Sequence, residues 1–580
     1  MNVQLNPKEL PQFKDWVAID IETSGLDPRL DQLWSVALSD GEDVWIYTSN
    51  FERIKPLLLD PEVTKVAHNM LFEYTWMMHY IGVEIQGLYD TLLVEKIISE
   101  DDGLPMSLDE VIGRYCGVFL TKDVRKTFET HQAGKPFTNE QIEYMCNDVL
   151  YLGNIVDQQI VEVNKKNLQR TVELELDVLV AVAHLEYNGL AFDNDLWQTQ
   201  VGTMQVMLLE LETNMRELIG KDFVLEVPAK KKGEGYIKEI PCADININSP
   251  TQLKPLFEQR FGIKTGTTNA AFLEECSEQN EFAKALLEHR KWSKRLGFDY
   301  NKFVHPVTGK VHPSYHQLGA RTGRFSCSNP NLQQVPRPDK TGPNLRHVWV
   351  ADSEDYVIIR ADYSQQEPRV FADLCGDPAM IEACNKEDVY IEFGKHIYGR
   401  EIEKGSDERY VAKQFVLATG YGAGVTRLMG ASGRDEDYCI TTKEIIQNTF
   451  PVMAEYAQKM YRQATMYKYV TTAIGRRRYF SVPKYTEAVN TPVQGTAADM
   501  FKLALVKVHR GLTELKNSGK IDPKTRVWNL VHDEIEVHCH KDEVDFVLPL
   551  VKQWMEEAGR EICPKVLHVA EADYSYRWDK

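Results

Sequence analysis

Hydrophobic and polar positions along the chain predict a mixed α/β protein with more than one domain. In DWVAIDIETSG, the apolar Val17, Ile19 and Ile21 alternate with positions that include Asp20 and Glu22, which is the two-residue period of a β-strand. Strands and helices alternate in this way over roughly the first 170 residues. The two carboxylates are therefore expected to leave the same face of one strand.

The middle of the chain is predicted to be mostly helical. Between about residues 171 and 220, apolar side chains follow one helical stripe, which indicates packing into a core. The stripe consists of Val201, Met204, Leu208, Leu211, Met215 and Leu218. The polar VPAKKKGEGYIKEIP then predicts a hairpin or loop, and helical patterns resume to about residue 300.

Beyond residue 300, two segments are predicted to place carboxylates at the ends of strands. DYVIIRADYSQQEPR is an apolar strand that ends at Asp362. VWNLVHDEIEVHC predicts two short strands around a turn that presents Asp533 and Glu534. A hairpin tip beside a strand end can bring these carboxylates to one site, although exposed turn aspartates are the better interpretation of either segment alone.

A helix is predicted between these two segments, in RYVAKQFVLATGYG, with Ser406–Asp407 at its start. Arg409, Lys413, Leu417 and Tyr421 recur every four residues and share one broad face of this helix. An Arg–Lys pair one turn apart suits phosphate groups, through bidentate and point-charge contacts. A solvated basic stripe is the alternative, and it is disfavoured because apolar residues fill the rest of the helix.

Composition limits the class of protein. A chain of 580 residues is too long for one core, and 43% hydrophobic and 26% charged residues are ordinary for a soluble globular protein. No run approaches the roughly 18 apolar residues of a membrane span, and the polar N-terminus lacks a signal-peptide core. The ten cysteines form no CxxC pair, so a cytoplasmic location without membrane association is expected.

Charge alone does not identify a partner. The net charge of −19 argues against simple coating of nucleic acid, but a basic cleft can lie on an acidic body. GRRRYF around Arg476 and HRKWSKR around Arg290 are candidate basic patches, although each alone is more often a solvated face. His538 and His540 point to one face of a strand, but no second ligand pair is evident and zinc is not expected.

Further acidic residues follow Asp20 and Glu22. They are Glu73 in HNMLFEYTW, Asp90 in LYDTLL, and Asp148, which lies one helical turn after Tyr144. Two carboxylates side by side repel by about 1 kcal/mol in water and about 4 kcal/mol at intermediate dielectric. Divalent cations relieve that repulsion.

These N-terminal motifs resemble those of a proofreading 3′–5′ exonuclease domain built on a ribonuclease-H-like sheet. The matching residues are Asp20-Ile21-Glu22-Thr23, His68-Asn69 with Glu73, and Tyr144-x-x-x-Asp148. The resemblance implies that Asp20, Glu22, Glu73 and Asp148 hold metal ions and that Tyr144 is catalytic, orienting the attacking water. Glu73 is a departure, because the family usually has Asp there.

The C-terminal motifs resemble those of family A DNA polymerases, so that the likeness covers essentially the whole chain. Motif A is matched by Asp362-Tyr363-Ser364-Gln365 with Glu367, motif B by Arg409-x-x-x-Lys413 with Tyr421-Gly422, and motif C by His532-Asp533-Glu534. Supporting segments are Thr322-Gly323-Arg324 followed by NPNLQQVP, Gly475 to Arg478, NTPVQGTAAD, and the thumb-like EYNGLAFD and NINSPTQL.

Roles follow from this resemblance. It implies that Asp362, Tyr363 and Asp533 bind metal, that Glu534 supports them, and that Lys413 acts with them in catalysis. Two Mg²⁺ ions per active site are implied, with Mn²⁺ as a substitute. Nucleotide contacts are implied for Arg346, Gln365, Glu367, Arg409, Lys413, Leu417 and Tyr421. DNA contacts are implied for Arg324, Asn490, Gln494 and His532.

Several positions depart from the family pattern. Tyr390 replaces a family histidine for the triphosphate, Leu417 replaces the usual aromatic residue, and Ala418 replaces a small glycine. Gln366 and Pro368 stand where aliphatic residues are usual. These positions bear on sugar discrimination and fidelity rather than on the reaction class.

The resemblance implies a domain layout and a set of partners. A 3′–5′ exonuclease domain at 1–170 would precede a right-hand polymerase at 171–580, with the thumb at 171–305, the palm at 306–375 and 485–580, and the fingers at 376–484. The expected partners are primer–template DNA, dNTPs and a single-stranded 3′ end. A monomer is expected, in phage or bacterial replication.

Two further expectations concern what is missing. The exonuclease strand begins by residue 16, so no 5′ nuclease domain is expected, and the stretch 222–245 is too short for a thioredoxin-binding insertion. Three alternatives stay open: an exonuclease whose C-terminal half only grips DNA, a non-catalytic replisome scaffold, and a related RNA polymerase or reverse transcriptase. Intact Asp362, Asp533 and Lys413 speak against the first two, and Glu367 with Tyr421 against the third.

Overall fold

The computed structural model of the protein describes residues 1–99, 103–120, 124–231, 234–338 and 342–579. These residues fall into two compact units. The first contains 1–190, 305–333 and 351–576, and the second contains 191–304, 334–350 and 577–580. The first unit carries both groups of carboxylates that the sequence singles out.

The N-terminal part of the first unit is a six-stranded mixed sheet covered by helices. Its strands are β1 (Val3–Leu5), β2 (Trp16–Thr23), β3 (Leu33–Ser39), β4 (Val44–Tyr47), β5 (Thr64–Ala67) and β6 (Leu88–Asp90). Its helices are α1 (Lys55–Leu59), α2 (Met70–Tyr80), α3 (Thr91–Ile98), α4 (Leu108–Cys116), α5 (Lys126–Glu129), α6 (Asn139–Leu150), α7 (Leu152–Lys166) and α8 (Gln169–Asn188). The strand order is β1-β4-β3-β2-β5-β6, which places β2 inside the sheet.

Strand β2 is buried on both of its faces. Val17, Ile19 and Ile21 belong to the core that includes Tyr74 and Trp76 of α2. Ala18 belongs to a second core on the opposite face, together with residues of α6. The predicted alternation is therefore confirmed, and it directs Asp20 and Glu22 toward the α6 side of the sheet.

The second unit is built on a long helix and a hairpin. Its elements are β7 (Leu190–Phe192), α9 (Asn194–Ile219), β8 (Val224–Lys231), β9 (Glu234–Pro241), α10 (Pro250–Phe261), α11 (Ala270–Ser277) and α12 (Glu281–Leu296). Strands β8 and β9 pair antiparallel, as the polar glycine-containing segment predicts. Met204 and Met215 of the predicted stripe are buried, but its other four positions are only half-buried, because α9 packs mainly along one side against α12.

The rest of the chain contains ten strands in its described part, four of which form one antiparallel sheet. The strands are β10 (Lys310–Val311), β11 (Ser314–His316), β12 (Ser326–Ser328), β13 (Trp349–Val350), β14 (Tyr356–Tyr363), β15 (Tyr469–Thr471), β16 (Arg477–Tyr479), β17 (Arg526–Val531), β18 (Glu534–His540) and β19 (Ala570–Ser575). Four of them form one sheet in the order β17-β18-β14-β19, with every neighbouring pair antiparallel. Strand β14 is therefore central and its end at Asp362 lies beside two other strands.

Nine described helices accompany this C-terminal sheet. They are α13 (Gln366–Cys375), α14 (Pro378–Cys384), α15 (Val389–Tyr398), α16 (Asp407–Gly420), α17 (Val425–Ser432), α18 (Glu436–Thr449), α19 (Pro451–Tyr467), α20 (Tyr485–Asn517) and α21 (Val544–Ile562). Within the described ranges, none of the helices is both long and apolar enough to span a membrane. Helix α20 reaches 33 residues, yet it carries charged and polar side chains throughout.

Candidate active sites

Helix α6 brings two predicted functional groups to the face of β2. Thr138 caps this helix: its hydroxyl accepts from the Gln141 amide at 3.2 Å, and the Thr138 amide donates to the Gln141 side chain at 3.0 Å. Such a capping box fixes where a helix begins. Tyr144 and Asp148 then lie one turn apart, and both are half-buried.

Asp20, Glu22 and Asp148 form a compact carboxylate cluster. One ligand oxygen of each lies within 4.8 Å of the others. Burial, followed by the charge of Asp148, raises the pKa of Asp20 well above its usual value, and burial with the charges of Asp20 and Asp148 does the same to the pKa of Glu22. Burial also raises the pKa of Asp148 to about 7. Three crowded carboxylates of this kind need positive charge to stay ionised together.

Glu73 lies in the same neighbourhood, on the first turn of α2. Its side chain is 3% exposed, and its Oε2 has no hydrogen-bond partner among the described residues. Burial and then the charge of Asp20 raise the pKa of Glu73 well above its usual value. Asp90 has a different task, because its Oδ1 accepts from the amides of Leu92 and Leu93 and so caps α3.

The donor set of this cluster fits a divalent cation. Hard cations such as Mg²⁺ prefer carboxylate oxygens, and Glu73 offers a buried oxygen that is otherwise unsatisfied. A bound cation would stabilise the ionised carboxylates and so lower the pKa values that burial raises. Asp20, Glu22, Asp148 and Glu73 are therefore the residues that would hold metal in this part of the protein.

Tyr144 is hydrogen-bonded to Asp148 beside the cluster. Burial, followed by the charge of Asp148, raises the pKa of the Tyr144 phenol, so this group stays a hydrogen-bond donor at neutral pH. Arg125, an exposed residue, was not predicted from the sequence. Its positive charge offsets part of the rise that burial causes in the pKa values of Asp20, Glu22 and Asp148. Nothing in the local pattern KDVRK distinguishes it from a solvated basic residue.

A second carboxylate group lies at the edge of the four-stranded sheet. Asp362 of β14 is the direct cross-strand partner of Glu534 of β18. Opposed residues of an antiparallel pair have their side chains on the same face, with Cβ atoms about 4.5–5.5 Å apart. Asp533 precedes Glu534 in the tight β17–β18 turn, where His532 adopts a left-handed conformation with φ of 57°. The predicted strand end and hairpin are confirmed, and they bring the three carboxylates to one edge.

The side chains around this edge have distinct environments. Asp362 is exposed, whereas Tyr363 is buried and its hydroxyl donates to the Met555 carbonyl at 2.5 Å. Tyr363 could therefore serve a metal ion only through its main-chain carbonyl. Glu534 has a buried Oε1 without a hydrogen-bond partner in the described part of the chain, and burial raises the pKa of Asp533. This donor set also fits a divalent cation.

A pocket of about 110 Å³ opens beside Asp533. Its polar lining comes from Arg324, Gln366, Glu367, Lys502, His532 and Asp533, and its apolar lining includes Phe325 and Phe501. The first turn of α13, the β17–β18 turn and the Arg324 segment therefore meet in one place. Of the four predicted DNA-contacting residues, Arg324 and His532 line this pocket.

Asn490 and Gln494, the other two predicted DNA contacts, lie on α20 and are half-buried. The glycine that follows them, Gly495, allows a close approach: an added Cβ would lie 2.6 Å from Thr472 and 3.2 Å from the Thr322 carbonyl. The NTPVQGTAAD motif thus packs against the segment that carries Arg324.

Helix α16 carries the predicted cationic face. Ser406 caps it by accepting from the Arg409 amide at 3.2 Å, as the sequence predicts. Lys413 is exposed, Leu417 is half-exposed, and Tyr421 closes the helix. Gly422 follows with φ of +79°, and an added Cβ there would clash with Tyr485, so glycine is required after Tyr421.

Tyr421 joins α16 to α13 through its hydroxyl, which donates to Glu367 Oε1 at 2.6 Å. Its ring stacks on Phe371 with centroids 5.3 Å apart. Burial and the neighbouring Glu367 charge raise the pKa of Tyr421, so the phenol remains protonated and keeps donating. Gln365, at the start of α13, accepts from the Val389 amide at 2.8 Å.

Arg346 lies in the second unit and is 5% exposed. Its guanidinium lies over Trp578, 4.4 Å from the ring centroid, and donates to the Val335 carbonyl at 3.3 Å. Its predicted contact with a nucleotide stays a prediction.

Arg476, Arg290 and His538, from the predicted basic patches and histidine pair, contact other parts of the protein. Arg476 is 7% exposed and pairs with Glu175 at 2.5 Å and Asp499 at 2.7 Å, and Arg290 donates to the Thr268 carbonyl. Arg476 is therefore held inside the protein, whereas Arg290 is half-buried and the patch around it stays a prediction. His538 is fully buried and stacks on Tyr356 at 4.4 Å, and no zinc-type cluster includes it among the described residues.

Comparisons with known proteins match a family to each of the two parts of the chain that carry these carboxylates. The model of DNA polymerase family A matches residues 226–580, and the model of the 3′-5′ exonuclease family matches residues 7–161. DNA polymerase I of Chloroflexus aurantiacus is 27% identical over 94% of this chain and 59% of its own length. DNA polymerase I of Pseudomonas aeruginosa is 27% identical over 97% of this chain and 63% of its own length. The chain thus spans about six-tenths of the length of these two relatives.

The fold also matches a solved structure. The polymerase domain of Pol1 from M. smegmatis, in complex with DNA primer–template and dNTP, aligns with a TM-score of 0.82 and 22% identity over 100% of this chain and 99% of that one. The family A model alone covers more than half of the chain. This chain therefore belongs to DNA polymerase family A, and a domain of the 3′-5′ exonuclease family precedes its polymerase domain.

Proposed function

We propose that the protein is a DNA-templated DNA polymerase that extends a primer 3′ end with dNTPs and proofreads it with a 3′–5′ exonuclease. The observation that carries the proposal is the meeting of Asp362, Asp533 and Glu534 at one sheet edge, beside a pocket that includes Arg324 and Glu367. A role in bacterial or phage DNA replication or repair fits the DNA polymerase I relatives.

In the polymerase reaction, the primer 3′-hydroxyl attacks the α-phosphate of a dNTP and pyrophosphate leaves. Asp362, Asp533 and the Tyr363 carbonyl would hold divalent metal ions, with Glu534 in support. Two Mg²⁺ ions, with Mn²⁺ as a substitute, would stabilise charge on the attacking and leaving oxygens when bound. Arg409 and Lys413 would bind the triphosphate oxygens, because their charges lie one turn apart on α16.

The remaining polymerase residues would orient the substrates. Arg324 and His532 line the pocket next to Asp533, where they would contact the primer terminus and the minor groove. Asn490 and Gln494 would make similar contacts from α20. Glu367, held by Tyr421, would crowd a ribose 2′-oxygen and so favour deoxyribose.

In the exonuclease reaction, a water molecule attacks the phosphorus of the terminal phosphodiester of a single-stranded 3′ end. The bond to the 3′-oxygen of the preceding nucleotide breaks, and the terminal nucleoside 5′-monophosphate leaves. Tyr144 would orient that water through its hydroxyl, next to Asp148. Arg125 would attract the scissile phosphate, since its charge already acts on the carboxylate cluster.

We also propose that the predicted domain layout holds: exonuclease 1–170, thumb 171–305, palm 306–375 with 485–580, and fingers 376–484. A monomer in the cytoplasm, without a thioredoxin-type partner, stays a prediction from the sequence.

A single experiment tests the proposed function. A 5′-labelled primer on a longer template is incubated with the protein and Mg²⁺, with and without dNTPs. We expect extension with dNTPs and shortening without them. Shortening without any extension would support an exonuclease whose C-terminal half only grips DNA. Binding with neither reaction would support a scaffold.

A further inference from the structure

Asp388 uses its two carboxylate oxygens for different partners. Oδ1 accepts from the amides of Tyr390 at 3.0 Å and Ile391 at 3.2 Å, which caps α15. Oδ2 accepts from Arg409, from Nε at 2.9 Å and from Nη2 at 2.8 Å. One side chain therefore caps the start of α15 and binds the guanidinium of a residue on α16.

Helix α15, which Asp388 caps, is hydrogen-bonded to the residue Gln365 that follows strand β14. Gln365 follows that strand in a left-handed conformation with φ of 53°, and its Oε1 accepts from the Val389 amide at 2.8 Å. Val389 is the next residue after Asp388. A short path of hydrogen bonds thus connects the strand that delivers Asp362 with the guanidinium of Arg409.

Arg409 is held on two sides but is not enclosed. Asp388 takes the Nε–Nη2 edge of the guanidinium, and the Tyr390 ring centroid lies 5.8 Å from its central carbon. The side chain of Arg409 is 23% exposed, so the Nη1 side can still receive a phosphate oxygen. A guanidinium that is oriented in advance loses less rotamer freedom when it binds a ligand.

We propose that Asp388 is a positioning residue that holds Arg409 in place for the triphosphate of the incoming nucleotide. The inference rests on the proposed polymerase function and goes further, because it assigns a second carboxylate role outside the metal site. The ion pair with Asp388 weakens the attraction of Arg409 for phosphate, because it neutralises part of the positive charge. It also fixes the direction of the guanidinium relative to Asp362. The opposite possibility is that Asp388 competes with the triphosphate for Arg409.

Asp388→Asn separates the two roles of this side chain. Asparagine caps a helix about as well as aspartate, so the Oδ1 hydrogen bonds are retained. The amide NH₂ that replaces Oδ2 cannot accept from a guanidinium. Asp435→Asn is the matched control, since Asp435 caps α18 by accepting from the Tyr438 amide at 2.8 Å. Asp388→Ser is a second variant that keeps a capping oxygen if the first does not fold.

Two measurements are needed. The first is the Kd of dNTP on a complex with dideoxy-terminated primer–template, where extension cannot occur and a terminal phosphorothioate linkage protects the primer from the exonuclease. The second is kcat on an extendable primer. We expect Asp388→Asn to raise the Kd about tenfold, with kcat changed by less than about threefold. In an Arg409→Ala background, Asp388→Asn should raise the Kd of dNTP by less than about twofold. Asp435→Asn should leave the Kd unchanged.

Other outcomes overturn the proposal. An unchanged Kd in Asp388→Asn removes the positioning role, and a tighter Kd makes Asp388 a competitor. An equal loss with and without Arg409 shows that the effect passes through the cap of α15. Wild-type protein that binds dNTP but never extends a primer refutes the proposed function while the role of Asp388 is still measured.

Discussion

At the scale of single residues, the hydrogen bond between Tyr421 and Glu367 fixes the carboxylate that we propose as one wall of the nucleotide site. Its length is 2.6 Å, and the Tyr421 ring is also fixed by stacking on Phe371. Because burial and the Glu367 charge raise the pKa of Tyr421, the phenol stays protonated at neutral pH and donates to Glu367. The carboxylate is thus held in one place, which is what a steric gate for a sugar hydroxyl requires.

Glu367→Ala should admit ribonucleotides, because it removes the group that would crowd the 2′-oxygen. We expect the ratio of kcat/KM for dCTP against CTP to fall by about tenfold or more. Tyr421→Phe is the matched control: it keeps the ring and loses only the hydrogen bond, so its ratio should fall less. A ratio that stays at the wild-type value in Glu367→Ala would remove Glu367 from this role.

The pKa of Asp148, about 7 in the folded protein against a usual 3.8, gives a second residue-level prediction. In metal-free protein, rising pH through this window removes the proton from the unfolded state before the folded state, so the free energy of unfolding falls. Metal binding requires the ionised carboxylates, so it offsets this loss most at high pH. Mg²⁺ should therefore raise Tm more at pH 8 than at pH 6, by about 2 °C or more.

Asp148→Asn checks the source of that pH dependence. It removes the titrating group, so the extra Tm shift at pH 8 should shrink. Asp435→Asn, a change at a helix cap away from the carboxylate cluster, should retain it. The same Mg²⁺ shift at both pH values in wild type would show that the carboxylate cluster does not bind the metal.

At the scale of elements, side-chain periodicity and turn residues predicted the strands and helices whose formation depends on local sequence. Strand β2, helix α16 and the β17–β18 hairpin follow their side-chain periods and turn residues closely. The stripe on α9 is only partly buried, because periodicity shows which face is apolar but not how much of it another helix covers. Asp388 could not be found, since its partner Arg409 lies 21 residues away and only the tertiary fold joins them.

Helix α16 also carries Leu417, one turn after Lys413. Leucine has no hydroxyl that could replace the missing 3′-hydroxyl of a dideoxynucleotide, so wild type should discriminate against ddNTPs. Leu417→Tyr should improve ddNTP incorporation by about tenfold or more, because a phenol adds a polar group at this position. Leu417→Phe is the control that adds a ring without the hydroxyl. Efficient ddNTP use by wild type, unimproved in Leu417→Tyr, would point to another determinant.

At the scale of the whole molecule, two carboxylate sites occupy two different sheets of one compact unit. Asp20 and Glu22 lie on the six-stranded sheet, and Asp362 and Glu534 lie on the four-stranded sheet. The motif order along the chain predicted this separation. Local basic charge was a weaker guide, because Arg476 of one predicted patch is engaged in ion pairs inside the protein.

The two sites should be separable by mutation. Removing a metal ligand withdraws charge stabilisation from one transition state and leaves the other sheet intact. Asp362→Asn should lose synthesis by about a thousandfold or more and still shorten single-stranded primers. Asp20→Ala should extend primers normally but stop removing a mismatched 3′ end. One time course of wild type and both variants, on matched and mismatched primers, measures all four rates.

Glu73 bears on the exonuclease activity, which is the second of the two activities that these variants test. Its side chain is one methylene longer than the aspartate usual in the family, so the wild-type exonuclease rate is the reference for both variants. Glu73→Asp should then change exonuclease activity alone and leave extension at the wild-type rate. If wild type never shortens a primer in Mg²⁺ or Mn²⁺, the proofreading proposal fails. If either Asp362→Asn or Asp20→Ala abolishes both activities in a folded protein, the two sites are not independent.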